Sequence, residues 1–308
     1  MQAAIDAMQE AFIQLSTGEA AVPLRTSVSL QEYDGTALFM PVYAASTGKY
    51  GLKIVSVHKD NPKQNLPMIH ALVVVMNAET GQPLAVMAGE YLTALRTGAA
   101  SGLATRLLSR QDSETIALFG AGVQGQTQLE AVCAVRNIRR AIIYDPDSEK
   151  CKNFAGEMSS KLNIDIIKAQ TDESLLEADI ICTATSSQTA VFSDQHLKPG
   201  VHINGIGSYR PDMAEIPTET VFRSKLIVDS RESCLAEAGD IIQAMKRSNK
   251  HLIHAEIGEI AAGKAKGRIS DAEITIFKSV GNAMQDLMVA NLALINAEKL
   301  KLGTEIKM

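Results

Sequence analysis

Thr115-Ile-Ala-Leu-Phe-Gly-Ala-Gly-Val-Gln-Gly125 carries the strongest local pattern in the chain. A short apolar strand, Thr115–Phe119, runs straight into a turn with glycines at 120, 122 and 125, and a helical pattern follows from Gln124 to Val135. Strand, glycine turn and helix in that order are what a dinucleotide site needs. Gly120 permits the tight turn, Gly122 lets the backbone approach a pyrophosphate, and Gly125 lets the helix lie close on the strand. The pyrophosphate would rest against the helix N-terminus, where free N–H groups and the positive end of the dipole favour an anion. The next strand, Ala141–Tyr144, ends at Asp145, about 20 residues on, where an acid can bond the ribose hydroxyls. Asp145 is read either as that acid or as a cap of the following turn. No Lys or Arg immediately follows it to welcome a 2′-phosphate, which favours NAD over NADP.

Outward from this turn the chain divides in two. Downstream, a helix over Ser148–Leu162 and strands at Ile180–Thr183, Val201–Ile206 and Lys225–Val228 continue the alternation. Strands alternating with helices predict a parallel, doubly wound α/β sheet of Rossmann type. Upstream, Ala3–Leu15 has helical spacing, and apolar runs at 37–40 and 52–57 precede a hairpin. Its arms are Ala71–Asn77 and Pro83–Ala88, joined by Ala78-Glu-Thr-Gly-Gln82, a short glycine-containing turn. A long helix is predicted over Glu90–Leu108 and a last one over Ile276–Ala297. The last helix comes after the α/β region has used its strands, so it is expected to cross back onto the first region. A chain of 308 residues exceeds one core of typical size. The expected units are residues 1–112 with 278–308, an α+β domain, and an inserted dinucleotide-binding domain at 113–277.

Composition excludes several partners. The net charge is −5 with no basic block, so nucleic acid, which binds through a basic face, is not expected. No run approaches the roughly 20 apolar residues of a membrane span. The N-terminus, Met1-Gln-Ala-Ala-Ile-Asp6, does not have the pattern of a signal peptide. Four scattered cysteines, Cys133, Cys151, Cys182 and Cys234, show no metal or redox spacing and read as thiols of a cytoplasmic protein. The six histidines show no metal spacing either; His251 and His254 are three apart but lack a third ligand nearby. No metal is expected.

Further motifs carry a resemblance. Pro23-Leu-Arg-Thr26, Met40-Pro-Val-Tyr43, Gly51-Leu-Lys-Ile-Val55 and Thr93-Ala-Leu-Arg-Thr-Gly-Ala-Ala100 precede the glycine turn. Ile203-Asn-Gly-Ile-Gly207, Arg210-Pro-Asp212, Val228-Asp-Ser230, Glu237-Ala-Gly-Asp240 and Phe277-Lys-Ser-Val-Gly281 follow it. With these, the chain resembles the ornithine cyclodeaminase/mu-crystallin family over nearly its whole length. The resemblance implies a homodimer, a substrate-binding and dimerisation domain built from both chain ends, and a cofactor in the cleft between domains. Members have a short strand before the first helix, whereas this chain begins within that helix. Either an edge strand is missing or the native start lies upstream of Met1.

Arg25, Lys53 and Arg96 fall at matched positions. An arginine fork holds a carboxylate in two places. Lys53 lies among Leu52, Ile54 and Val55, where burial would lower its pKa and suit it to proton donation. Read without the resemblance, all three are equally well solvated surface charges. With it, Arg25, Lys53, Arg96 and Val280 bind an imino- or amino-acid substrate, and Lys53 is the catalytic residue. The cofactor set becomes Arg96, Thr97, Gly120, Gly122, Val123, Gln124, Gly125, Asp145, Thr183, Ile206, Gly207, Ser208, Tyr209 and Ser279. Glu237 and Asp240 read as a helix-terminal pair or as caps.

Within the family, hydride transfer serves cyclodeaminases, alanine dehydrogenases and ketimine reductases. A cyclodeaminase must deprotonate a distal ammonium, and a carboxylate beside it is the natural means. The cyclodeaminase pattern has acids where this chain has Leu38 and Tyr209. The expectation is therefore an NAD- or NADP-dependent reductase of Δ1-pyrroline-2-carboxylate or Δ1-piperideine-2-carboxylate, giving L-proline or L-pipecolate. Ornithine cyclodeaminase, alanine dehydrogenase and a non-catalytic crystallin-like ligand binder are the alternatives.

Overall fold

The computed structural model describes residues Met1–Ile306; the last two positions of the 278–308 segment lie outside the described residues. In chain order the elements are α1 (Gln2–Thr17), β1 (Ala20–Ala21), β2 (Thr26–Leu30), β3 (Gly35–Ala44), β4 (Lys49–His58), β5 (Ile69–Asn77), β6 (Pro83–Ala88) and α2 (Gly89–Leu108). Then come β7 (Thr115–Phe119), α3 (Val123–Cys133), β8 (Arg140–Tyr144), α4 (Ser148–Leu162), β9 (Asp165–Lys168), β10 (Ile180–Thr183) and β11 (His202–Gly205). The rest are α5 (Thr218–Arg223), β12 (Lys225–Val228), α6 (Arg231–Glu237), α7 (Gly239–Ser248), β13 (Ile253–Glu256), α8 (Ile257–Ala261), β14 (Thr275–Lys278) and α9 (Ala283–Leu300).

The first sheet is antiparallel, ordered β1-β3-β4-β5-β6 with β2 paired to β3. Side chains alternate across it. Met40, Val42, Val73 and Val75 turn inward, α9 and α2 cover that face, and α1 packs on these two helices in the same apolar cluster. The small residues of α2 serve helix contact: a Cβ on Gly98 would meet the Thr127 backbone of α3, and one on Gly102 would meet Ile5 of α1.

The second sheet is wholly parallel, ordered β13-β12-β14-β11-β10-β7-β8-β9. Its central strands, β7, β10, β11, β12 and β14, are buried on both faces between apolar clusters, which is why they read as continuous apolar runs rather than alternating ones. Strand order reverses between β7 and β10, and ligands in open α/β sheets bind beyond the strand C-termini at such a switch point. The glycine turn leaves β7 there.

One expectation is corrected. Ile276 does not begin the last helix: Thr275–Lys278 is a strand inside the second sheet, between β11 and β12. The helix starts only at Ala283. Ile276-Phe-Lys-Ser-Val280 is apolar enough for either state, and pairing on both sides wins. The domain boundary expected after 277 falls inside this strand. Among the described residues, no helix is long and apolar enough to cross a membrane, and no cluster of potential metal ligands occurs.

Candidate active site

The glycine turn has the geometry that a pyrophosphate requires. Gly120 has φ +99°, in the left-handed region, and a Cβ on Gly125 would strike the Gly120 carbonyl. A Cβ on Gly122 would meet only the Lys150 ammonium, 3.9 Å away, so the backbone there faces open space. Gly122 is the N-cap of α3, no side chain caps it, and no acid sits in the first turn, which holds Val123, Gln124 and Gly125. An anion would meet free N–H groups. Asp145 accepts from Ala121 N at 2.9 Å and Asp147 N at 3.0 Å, and Lys150 Nζ lies 3.2 Å from it. Burial pushes its carboxyl up, but these donors hold it below the usual range. The cation that the sequence lacked directly after Asp145 is thus supplied five residues on.

The next two loops are joined by one carboxylate. Glu215 is fully buried and accepts from Thr183 Oγ1 (2.8 Å), Thr185 N (2.6 Å), Gly207 N (2.7 Å) and Ser208 N (3.2 Å). Behind it, Asp240 accepts from Glu215 N and Ile216 N and pairs with Lys278 at 3.0 Å. Asp240 is therefore more than a helix cap. Ile206, Gly207 and Ser208 are buried, whereas Tyr209 is exposed. Thr97 turns its hydroxyl to Thr93 O of its own helix at 2.7 Å.

The basic residues converge where β14 leaves the second sheet and α9 begins. Lys53 is 2% exposed, on the inner face between Met40 and Val73. Its Nζ donates to Asp286 Oδ1 at 3.0 Å, and Arg96 Nε donates to the same oxygen at 3.1 Å. Arg96 Nη1 donates to Gln285 Oε1 at 2.7 Å. Gly281, with φ +77°, leaves room for the Arg96 guanidinium, which a Cβ there would strike. Arg25 donates to Gly281 O at 2.8 Å and Val280 O at 3.2 Å and pairs with Glu237 at 2.8 Å. Burial lowers the Lys53 pKa to about 8 against the opposing pull of Asp286, with Arg96 and Arg25 adding to the fall. Burial raises the Glu237 carboxyl, with Arg25 opposing.

Asp229, at the end of β12, ties this corner to the sheet. It accepts from Ser279 Oγ (2.7 Å), Val280 N (3.1 Å) and Gly281 N (2.8 Å). Ser279 and Val280 therefore lie at the strand C-termini, and Arg25, Lys53 and Arg96 meet around the segment just after them. Sequence reasoning found the cations but missed Asp286, Asp229 and Glu215. For Asp286 a signal was present: it is the lone acid in Ala283-Met-Gln-Asp-Leu-Met-Val289, and a buried carboxylate requires a cation.

Comparison with known proteins bears on this geometry. The model of the ornithine cyclodeaminase/mu-crystallin family matches residues 1–300. A Δ1-pyrroline-2-carboxylate reductase of Bacillus cereus is 39% identical over 298 residues, covering 96% of this chain and 91% of that protein. The structure of Thermococcus litoralis Δ1-pyrroline-2-carboxylate reductase in complex with NADH and L-proline superposes with a TM-score of 0.94 at 43% identity, over 98% of this chain and 95% of that one. An archaeal alanine dehydrogenase dimer with bound NAD gives 0.93 at 35%, over 100% and 95%.

Proposed function

This chain belongs to the ornithine cyclodeaminase/mu-crystallin family, and from that premise we propose that it reduces a cyclic imine carboxylate with NADH or NADPH. The substrate is Δ1-pyrroline-2-carboxylate or its six-membered homologue, and the product is L-proline or L-pipecolate. One observation carries the reading. Arg25, Lys53 and Arg96 pair with two carboxylates, Glu237 and Asp286, while Asp229 is taken up by the Ser279 hydroxyl and the Val280 and Gly281 N–H groups, so the ion pairs of the corner have one cation in excess, the complement of one substrate carboxylate. Among the described residues, each acid of the corner already has a partner, and Leu38, on the same strand face as Met40, stands where the cyclodeaminase pattern carries a further acid. The named activities of the Bacillus and Thermococcus relatives support the same reading.

Arg96 and Arg25 hold the carboxylate, and Lys53 gives its proton to the imine nitrogen as a C–H bond forms at the imine carbon. A bound reduced nicotinamide supplies the hydride for that bond. Gly120 to Gly125, with Val123 and Gln124, cradle the pyrophosphate, and Asp145 takes the ribose. Thr183, Ile206, Gly207, Ser208, Tyr209 and Ser279 line the nicotinamide side, with Arg96 and Thr97 closing it. Residues 1–112 with 278–308 form the substrate-binding unit and 113–277 the dinucleotide-binding unit.

The outer face of the first sheet supports a homodimer. Tyr43, Tyr50, Leu72 and Val86 are exposed on one continuous apolar face, and such a patch marks an interface; the archaeal relative was solved as a dimer. Four unpaired cysteines suit the cytoplasm.

The test is a panel of cyclic imines, L-ornithine and L-alanine with both cofactors, following reduced-cofactor absorbance and ammonia. Consumption of NADH or NADPH with a cyclic imine is expected. Ammonia release from ornithine, or NAD reduction with alanine, without imine reduction would overturn the proposal. Absence of any turnover would favour a ligand binder.

A further inference from the structure

A buried lysine that is to donate a proton must first keep it. Lys53 is 2% exposed, and burial disfavours the charged amine. Arg96 of α2 and Arg25, before β2, push the same way. Met40 and Val73 on the flanking strands bring no charge. Glu237 of α6 is paired with Arg25. That leaves one opposing group in contact with Lys53, Asp286 in the first turn of α9.

We propose that Asp286 is the positioning residue of this site: its carboxylate keeps Lys53 protonated and sets the spacing between the Lys53 ammonium and the Arg96 guanidinium. The inference rests on the reductase reading, since it concerns the donor in that reaction. Oδ1 is shared by Lys53 Nζ at 3.0 Å and Arg96 Nε at 3.1 Å, so one atom fixes where both cations stand. The oxygen is itself fixed, because Asn282 caps α9 by accepting from Met284 N and Gln285 N. Gln285 holds the far side of Arg96 at 2.7 Å. Ammonium and guanidinium are thereby presented side by side, the arrangement that an imine nitrogen and its neighbouring carboxylate require. Asp286 is 1% exposed, and among the described residues its Oδ2 has no hydrogen-bond partner. Among the described residues, its side-chain hydrogen bonds therefore go to these two cations.

Asp286→Asn tests this. The amide oxygen can still accept from Lys53 and Arg96, and the NH2 replaces an oxygen that accepts nothing, so charge is removed with little change of shape. The alkaline limb of kcat/KM for Δ1-pyrroline-2-carboxylate reduction is expected to move down by roughly 1–3 pH units, the span that an adjacent opposite charge commands. Asp286→Glu should return the limb toward its original position even if kcat is lower. Independently of turnover, the Lys53 resonance of protein labelled with 13Cε-lysine, assigned with Lys53→Met, should titrate at lower pH in Asp286→Asn. A limb and a resonance that both stay in place would overturn the inference. If the wild type reduces no cyclic imine, the reductase reading fails, and the NMR titration alone decides whether Asp286 holds the Lys53 proton.

Discussion

Lys53→Met removes one charge from the most buried cation of the substrate corner and keeps an unbranched apolar side chain of similar length. Its effect on stability follows from the fall of the lysine pKa from 10.5 to about 8. At about 1.4 kcal/mol per pH unit, holding the ammonium in this site costs the folded state on the order of 3 kcal/mol. That figure already includes the attraction of Asp286, which retains Arg96 as a partner at 3.1 Å. The variant should therefore be more stable than the parent by up to about 3 kcal/mol, or roughly 5 °C in Tm for a chain of this size. The sign fixes the pH window. A folded-state pKa below the unfolded one means that the unfolded chain binds the extra proton, so parental stability rises with pH between about 8 and 10.5. The advantage of methionine is full below pH 8 and fades across that window. Turnover moves the opposite way: loss of a general acid lowers kcat by about 10²–10⁴-fold. Thermal unfolding across roughly pH 6 to 11, a range that brackets the window, and steady-state imine reduction are the assays. A variant destabilised below pH 8 would show that the Lys53 ammonium is not held at a cost, and one that keeps its kcat within about tenfold would remove Lys53 as the proton donor.

Three more outcomes are expected. Gly281→Ala should raise KM for the imino acid, because φ is +77° and the new Cβ meets the Arg96 guanidinium; the strain is about 1–2 kcal/mol, measurable by chemical denaturation. Asp145→Ser should weaken NADH more than NADPH, and Lys150→Glu should weaken NADPH more than NADH, since Lys150 lies 3.2 Å from Asp145; KM ratios for the two cofactors are the check. In the wild type, kcat/KM for imine reduction should fall as pH rises through about 8 while oxidation of the product rises through it, because Lys53 is charged below that pH and neutral above; opposite slopes would remove Lys53 as the donor.

Much of this was legible in order along the chain. Strand Thr115–Phe119, helix Ser148–Leu162 and the hairpin arms near 71–77 and 83–88 fall where their patterns place them, because each depends on neighbours within a few residues. The last helix did not. Ile276 to Val280 carries an apolar pattern that either a helix or a doubly buried strand satisfies, and pairing to His202–Gly205 and Lys225–Val228 decides it. No window of sequence contains those partners.

The candidate site divides along the same line. The glycine turn and Asp145 at the end of the second strand were readable from residue type and local spacing, whereas the three cations stood out only through the family resemblance, since residue type alone left them equally well as solvated surface charges. Only the packed fold brought two of them, Lys53 and Arg96, onto one carboxylate, Asp286, which lies 233 residues from Lys53 and 190 from Arg96, and Arg25 onto Glu237. It alone set Lys150 against Asp145 and joined the loops after β10 and β11 through Glu215. The physical reason is common to all three. Burying a charge is tolerable only when an opposite charge or a set of donors is brought to it, and in this chain those partners come from elements that meet only when the two sheets and α9 are packed together.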